Sequence, residues 1–520
     1  MRVRFRHGAG SAVRSYEPHR RVWRLYAVAA AVALLIGAGL PAATQVGATA
    51  ARPRPTRPAA SAAIPSVTGP VTGPGSPSLV GFEGYPLSRI GYSESEYFFS
   101  GMATSYVSAS PFGKDGKWSV QAAAAAPYKS RLVVLLPSDP KHFSGNVVVE
   151  WLNVSAGFDA PPDWVYGHDE MVRSGDAWVG VSAQAVGVNS LKTTTPARYG
   201  SLIHPGDSFS YDIFSQAGMA VRENYAMILN GLRPRVIIGD GESQSAGRLT
   251  TYVNAAAPLV NVFDGYLIHS RGSTGAALSQ APQAAIPTPA GATTRDDLTV
   301  PVVTFETETD VIPFGYVSSR QPDSQFFRLW EVAGTTHIDA YNLGVALSDD
   351  GNCDTDLALF AYLSSPPTVV NAPEGLPISF SCGGTGFNAG QQHYVFQTAL
   401  QGLLRWASTG VPLPKMPRLE VDTSTTPPTF RLDTNGNARG GIRTPAVDAP
   451  LAVLSGIPAP NAPGFCGTFG QTHPFTSIQV AELYPTHADF VRQWRRAVKH
   501  ALSSGVLLPD DARRLADVVG

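Results

Sequence analysis

The sequence predicts an α/β fold, in which a mostly parallel β-sheet has helices on both faces. Seven short apolar runs, rich in β-branched residues, recur at 131–136, 146–152, 177–183, 236–238, 262–269, 300–305 and 327–333. They are nearly continuous rather than alternating, as expected of strands that are covered on both faces. Helical patterns separate several of them, and a long amphipathic helix is predicted over residues 212–232. This alternation is typical of parallel β-α-β units.

The first 50 residues have the pattern of an export signal. An arginine-rich start precedes an apolar run over residues 25–40, and Ala48-Thr49-Ala50 forms a small-x-small cleavage site. The apolar run is short for a membrane span, so we expect cleavage rather than anchoring. The protein is therefore predicted to be secreted or extracytoplasmic, with no stable membrane anchor after cleavage. Arg20-Arg21 leaves both the general and the twin-arginine export routes open.

Composition divides the remainder of the chain. Residues 51–80 are rich in Pro, Ala, Ser and Gly, and we predict a flexible linker there. The strand and helix pattern assigns residues 81–341 to the core of a large domain.

After residue 342 the pattern changes. Helices are predicted at 393–409 and 487–504, and a hairpin-like region rich in Pro, Gly and Thr lies near 418–443. We interpret residues 342–520 as a C-terminal elaboration with closing helices, and a possible cap, of the same domain. A small second domain is the alternative.

The charge balance limits the classes of partner. The formal net charge is −1, which gives no electrostatic footprint for nucleic acid or acidic membranes. We therefore expect a small-molecule partner. The chain has neither a phosphate-cradling glycine-rich loop nor metal-ligand spacing, so no cofactor and no metal are predicted. Nothing in the sequence indicates an oligomeric state.

Three cysteines lie in the C-terminal third, and an exported chain favours one disulfide plus a spare thiol. We predict the pair Cys353–Cys382, which encloses a loop of about 30 residues, and a free Cys466. The other two pairings stay open.

The most informative motif is Gly241-Glu242-Ser243-Gln244-Ser245. It follows a β-branched run and precedes a helix-compatible stretch over residues 248–257. A sharp strand-to-helix turn needs small residues on both sides of the serine, because neighbouring backbone comes very close. The motif therefore predicts a nucleophile elbow, although glycine usually stands where Ser245 is. A serine that merely caps a helix is the alternative.

A serine nucleophile needs an imidazole to accept its proton and a carboxylate to orient the imidazole. The run at 300–305 is followed by Glu306, Glu308 and Asp310, and the run at 327–333 is followed by His337. The three carboxylates are also compatible with a solvated loop or a Ca²⁺ site.

At this point the chain resembles the α/β-hydrolase superfamily, and more narrowly a family of exported bacterial α/β-hydrolase-domain proteins whose substrates are poorly defined. The matching stretches occur in order at 149–155, 181–184, 241–245, 320–323 and 329–337, and with 481–485 the resemblance spans roughly residues 80–520. It implies an α/β-hydrolase fold.

The resemblance also implies the chain order serine, acid, histidine. Ser243 is then the nucleophile and His337 the general base. Asp310, which begins an Asp-x-x-Pro run, is the favoured acid, and Glu308 is the alternative. His269 also follows a strand, but it precedes the acidic segment and breaks this order.

The charge that develops on a substrate carbonyl oxygen needs two backbone N–H donors. Gln244, directly after the serine, is expected to supply one, and Val154 or Ser155 the other. The sequence thus predicts a serine hydrolase that cleaves a carboxylic ester through an acyl-enzyme. An amidase or peptidase would use the same triad. A non-catalytic secreted binding protein on a hydrolase scaffold is the alternative from another class.

Overall fold

The structure, a computed structural model, describes residues 62–519 apart from 76, 78, 80–85, 372–379 and 385. The predicted export signal and the first part of the predicted linker lie outside the described residues. No helix in the described part of the chain has the length and apolar character needed to cross a bilayer.

A nine-stranded sheet in the order β1-β2-β3-β5-β4-β6-β7-β8-β9 forms the centre of the fold. Its strands are β1 (Ser66–Thr68), β2 (Tyr92–Val107), β3 (Gln121–Pro137), β4 (Asn146–Trp151), β5 (Ala177–Val181), β6 (Val236–Glu242), β7 (Gly265–His269), β8 (Val302–Thr307) and β9 (Phe327–Val332). The pairs from β5 to β9 are parallel, whereas β1, β2 and β3 are joined antiparallel at one side. The predicted mostly parallel sheet is confirmed.

Fourteen α-helices are described: α1 (Pro162–Ser174), α2 (Ala185–Thr194), α3 (Pro196–Tyr199), α4 (Ser210–Glu223), α5 (Tyr225–Ile228), α6 (Gln244–Thr251), α7 (Ala257–Val260), α8 (Glu308–Val311), α9 (Cys353–Tyr362), α10 (Gln392–Thr409), α11 (Pro445–Asp448), α12 (Ser477–Leu483), α13 (His487–Ser503) and α14 (Pro509–Asp517). The described residues also form three two-stranded antiparallel sheets: β10 (Val369–Asn371) with β11 (Ser381–Gly383), β12 (Val421–Asp422) with β13 (Thr429–Phe430), and β14 (Ala452–Ser455) with β15 (Gln471–Pro474).

Helices cover both faces of the parallel strands. A Cβ at Gly239 on β6 would lie 3.3 Å from Phe214 of α4, and a Cβ at Gly265 on β7 would lie 3.1 Å from Leu403 of α10. Gly265 pairs with Ile238, so it lies on the opposite face from Gly239. All residues of β5, β6, β7, β8 and β9 are buried, which explains their continuous apolar pattern.

The structure contains strands that the sequence pattern does not predict. Ser66–Thr68, inside the predicted linker, pairs with β2 as β1. The adjoining residues are held as well, because the Arg198 guanidinium donates to the carbonyl oxygens of Val71 and Gly75. The linker expectation therefore fails for these residues, since backbone hydrogen bonds compensate for their small apolar surface.

The predicted disulfide pairing is wrong. Cys382 is bonded to Cys466 across 84 residues of sequence, and Cys353 is an exposed free thiol. Separation along the chain did not predict the pairing, because the fold places β11, which carries Cys382, beside the turn Gly464–Thr468, which carries Cys466. Phe380, just before β11, and Phe465, in the turn, pack against the same small apolar cluster, with their ring centroids 4.8 Å apart.

Candidate active site

Ser243 stands at the sharp turn between β6 and α6. Its φ is +57° and its ψ is −114°, a left-handed conformation that residues other than glycine rarely adopt. The Ser243 N–H donates to the carbonyl oxygen of His269 at 2.9 Å, which ties the turn to the end of β7. The strand, turn and helix expected of a nucleophile elbow are therefore present around the serine.

Small residues flank this turn for a steric reason. A Cβ at Gly241 would lie 3.2 Å from the Cβ of Ser245, closer than nearly all real Cβ contacts. Ser245 is fully buried, and its Oγ donates to the carbonyl oxygen of Leu152 at 3.1 Å. Serine in place of the usual glycine thus ties the first turn of α6 to the end of β4.

His337 lies in the loop after β9, where Gly334 turns the chain at φ +71°. Its backbone N–H donates to Thr309 Oγ1 at 3.2 Å. Its ring is 3 % exposed and meets the Phe314 ring edge-on, with the centroids 4.8 Å apart. These contacts hold the imidazole with Nε2 2.7 Å from the Oγ of Ser243.

Asp310 lies on α8, directly after β8, and its side chain is fully buried. Oδ1 is 2.7 Å from Nδ1 of His337. Oδ2 accepts from the backbone N–H and the hydroxyl of Thr307 at 2.7 and 2.6 Å. Thr307 Oγ1 in turn accepts from the Asp310 N–H, which completes a capping box at the start of α8. One oxygen is held by the helix cap while the other contacts the histidine.

Glu308, the alternative acid, contacts other partners. Its Oε1 accepts from the Gly334 N–H at 2.6 Å, and its Oε2 accepts from the Gly456 N–H at 2.8 Å. Burial raises its pKa to about 7, although both backbone hydrogen bonds oppose the rise. Glu308 thus joins the His337 loop to the segment before β15, and the structure brings Asp310, not Glu308, to the imidazole.

Asp310, His337 and Ser243 form a continuous hydrogen-bonded chain. Burial alone would lower the pKa of His337, but the charges of Glu242 and Asp310 and the hydrogen bond to Asp310 outweigh it and raise the pKa. With Nδ1–H donating to Asp310, Nε2 is the acceptor for the Ser243 hydroxyl. This arrangement can take the proton from the serine as its oxygen attacks an electrophile.

The predicted oxyanion donors differ in their hydrogen bonds. The Ser155 N–H donates to Asn153 Oδ1 at 2.8 Å, so it is engaged within its own loop. Val154 precedes it and is buried. Gln244 is the first residue of α6, where an N–H has no acceptor within the helix. Of the two loop candidates, Val154 is the one whose N–H is not committed to Asn153.

His269 is not part of this chain of hydrogen bonds. It is fully buried at the end of β7, with Nδ1 2.6 Å from Asp163 Oδ1 and Nε2 3.1 Å from Gln392 Nε2. Burial lowers its pKa to about 4. The side chain therefore remains neutral at neutral pH and joins β7 to α1 and α10.

Glu242 is a site residue that the sequence analysis did not single out. Its Oε1 is 3.3 Å from Nε2 of His337, and its Oε2 accepts from Asn153 Nδ2 at 3.0 Å. Its position beside the serine was the only available signal. In the described ranges no group of three or more His, Cys, Asp or Glu side chains is arranged to hold a metal ion.

The match to a family model agrees with this architecture. A family model for an alpha/beta hydrolase domain matches residues 55–517. None of the curated proteins compared matches the chain. Similar solved structures include a fungal esterase from Rhizomucor miehei, with 12% identity, a TM-score of 0.25 and coverage of 47% of this chain and 77% of that one. Est1E from Butyrivibrio proteoclasticus has 12% identity, a TM-score of 0.27 and coverage of 47% and 93%. A glucuronoyl esterase from Solibacter usitatus has 8% identity, a TM-score of 0.24 and coverage of 50% and 81%.

Proposed function

Because the chain belongs to the alpha/beta hydrolase domain family, we propose that it is a serine hydrolase that cleaves a carboxylic ester through an acyl-enzyme. The hydrogen-bonded chain from Asp310 through His337 to Ser243 is the observation that carries this proposal, with 2.7 Å at both junctions. Each group has the partner that its role requires. The α/β-hydrolase fold supplies the scaffold.

In the first half of the reaction, Ser243 Oγ attacks the ester carbonyl carbon while its proton passes to Nε2 of His337. Asp310 stabilises the imidazolium through Nδ1–H. The backbone N–H groups of Gln244 and Val154 are the proposed donors to the negative carbonyl oxygen. When the tetrahedral intermediate collapses, the C–O bond to the alcohol breaks and Nε2–H protonates the departing oxygen.

In the second half, His337 takes a proton from water as the water oxygen attacks the acyl carbon. The acid product leaves when Ser243 Oγ regains its proton from Nε2. No step requires a metal or an organic cofactor. We extend the proposal to a small, uncharged ester substrate, because the net charge of −1 provides no general attraction for polyanions.

We further propose that the protein works outside the cytoplasm, after cleavage of the export signal and without a membrane anchor. The sequence pattern of the first 50 residues supports this location. A disulfide between Cys382 and Cys466 is also in keeping with an oxidising compartment.

Labelling with a fluorophosphonate probe tests the proposal, because the probe reacts covalently with an activated serine. The wild type should be labelled at Ser243. Ser243→Ala and His337→Ala should each abolish labelling. Each should also lower turnover on short p-nitrophenyl esters by at least about 10⁴-fold. The double variant should be little worse than either single one, because the residues act as a unit.

Circular dichroism should show that these variants stay folded. An unlabelled wild type would leave a non-catalytic binding protein as the better description. A parallel panel of esters and amides with the same acyl groups separates an esterase from an amidase. Faster cleavage of the amides would replace the ester assignment.

A further inference from the structure

We propose that Glu242 is a positioning residue whose carboxylate holds the protonated form of His337 during Ser243 attack. This inference rests on the proposed function and extends it to a second carboxylate, at the imidazole nitrogen opposite Asp310. His337 would then lie between two acids, with Asp310 at Nδ1 and Glu242 near Nε2.

The geometry at Nε2 carries the inference. Ser243 Oγ is 2.7 Å from this nitrogen, and Glu242 Oε1 is 3.3 Å from it. When the serine proton arrives at Nε2, a carboxylate oxygen is already within reach of the new N–H. The longer distance leaves the serine as the partner in the resting state and makes Glu242 the partner of the imidazolium.

Glu242 is fixed by its neighbours rather than by solvent. Its side chain is 6 % exposed. Asn153 Nδ2 donates both to Oε2 at 3.0 Å and to the Glu242 backbone carbonyl oxygen at 3.1 Å. Asn153 Oδ1 also accepts from the Ser155 N–H. The Glu242 carboxylate and the proposed oxyanion loop are therefore held by the same amide side chain.

The other charged and titratable groups around Glu242 come from several elements. They are His337, His269 on β7, Asp163 and Tyr166 on α1, and Asp310 on α8. Burial lowers the pKa of His269 to about 4 and raises the pKa of Tyr166 well above its usual value, so both stay neutral near pH 7. Burial also raises the pKa of Asp163.

The charges of Glu242 and His337 affect each other's pKa. Burial raises the pKa of Glu242 to about 7, and the charge of His337 opposes the rise. The negative form of Glu242 favours the imidazolium and so helps to raise the pKa of His337. Because the base must be neutral to accept the serine proton, this effect moves the rising acid limb of reactivity to higher pH.

The test is the pH dependence of fluorophosphonate labelling for the wild type and Glu242→Gln. Removing the charge should lower the midpoint of the acid limb by about 1 pH unit or more. Glu242→Asp keeps the charge on a shorter side chain, so the midpoint of its acid limb should lie between those of the wild type and Glu242→Gln. It also serves as the second variant if Glu242→Gln does not fold. Glu170→Gln is the matched control, because this buried carboxyl contacts Arg173 and Ser174, and its midpoint should equal the wild type's.

A second readout does not depend on activity. The His337 imidazole signals in a histidine-labelled sample, identified by their loss in His337→Gln, should titrate at lower pH in Glu242→Gln. An unchanged or higher midpoint, or an equal shift in Glu170→Gln, would overturn the inference. If the wild type is not labelled at Ser243, the proposed function fails, whereas the imidazole titration still decides the role of Glu242.

Discussion

At the scale of single residues, the two oxygens of Asp310 have separate partners. Oδ2 is held by the Thr307 N–H and hydroxyl, which fixes the side chain before any substrate arrives. Oδ1 is thereby presented to Nδ1 of His337 at 2.7 Å. Pre-organisation of this kind would remove the cost of orienting the acid in the proposed reaction.

The contacts of Asp310 and Glu308 predict different effects when each carboxyl group is replaced by an amide. Asp310→Asn should lower turnover by roughly 10⁴-fold, as the corresponding change does in a serine protease, because an amide favours the wrong imidazole tautomer. Glu308→Gln should lower turnover by less than about tenfold. It should instead lower the free energy of unfolding by about 1–3 kcal/mol, since one backbone N–H loses its acceptor.

Turnover on a short p-nitrophenyl ester and urea denaturation of both variants provide the two measurements. If Glu308→Gln lost most of its turnover while Asp310→Asn kept the turnover of the wild type, Glu308 would be the acid instead.

At the scale of elements, the turn Gly464–Thr468 supports the loop that carries His337. The carbonyl oxygen of Thr468 accepts from the Ile338 N–H at 3.2 Å and from Thr336 Oγ1 at 3.1 Å. These two residues flank His337. The disulfide between Cys382 and Cys466 joins this turn to β11, so it constrains a segment that contacts both neighbours of the histidine.

Loss of the disulfide should therefore reduce both stability and activity. The disulfide closes a loop of 84 residues, and closing such a loop stabilises the fold by about 4–5 kcal/mol in the chain-entropy model. We expect Cys382→Ser/Cys466→Ser to melt at a lower temperature and to have a lower kcat on p-nitrophenyl esters. Cys353→Ser is the matched control and should behave as the wild type in both assays. Equal melting temperatures for all three proteins would contradict the prediction.

The elements also explain how much of the fold could be predicted. Strands β4 to β9 are buried on both faces, so the local apolar pattern was sufficient. The strand β2 begins Tyr92-Ser93-Glu94-Ser95-Glu96, and β3 includes five consecutive alanines at 122–126. Neither stretch has strong β-propensity. Their pairing with each other stabilises them, and pairing depends on contacts that local patterns do not contain.

Prediction of the site had a similar limit. Ser243 and His337 follow strands at places that a motif and chain order can identify. The choice of Asp310 over Glu308 depends on which direction each side chain takes within one turn of helix. The place of Glu242 depends on a hydrogen bond from Asn153, 89 residues away in sequence. Side-chain direction and distant partners are set by packing. The sequence therefore left Glu308 as an alternative to Asp310 and gave no sign of the contact between Glu242 and His337.

At the scale of the whole molecule, the fold buries many carboxyl groups without full charge compensation. Burial raises the pKa of Glu94, Glu242, Glu308 and Asp339 to about 7 and that of Asp511 to about 6. In the unfolded chain such groups have pKa values of roughly 4. Between these limits these carboxyl groups bind more protons in the folded protein than in the unfolded protein.

Stability should consequently fall as the pH rises from about 4.5 to about 7, because the slope follows the number of protons bound in the unfolded minus the folded state. We expect the melting temperature at about pH 5 to exceed that at about pH 8 by several degrees. Glu308→Gln removes one of these groups and should narrow the difference. A melting temperature that rises with pH over this range, measured by scanning calorimetry, would contradict the prediction.

The capping box of Thr307 and Asp310 has a consequence for how this chain can change over generations. Under the proposed function, selection would act on Asp310 twice, once through turnover and once through the capping box of α8. A descendant that abandons hydrolysis could replace Ser243 freely, yet replacing Asp310 would still weaken the loop. We therefore expect the aspartate to persist longer than the proposed activity, and the serine to be the more informative sign of an active enzyme.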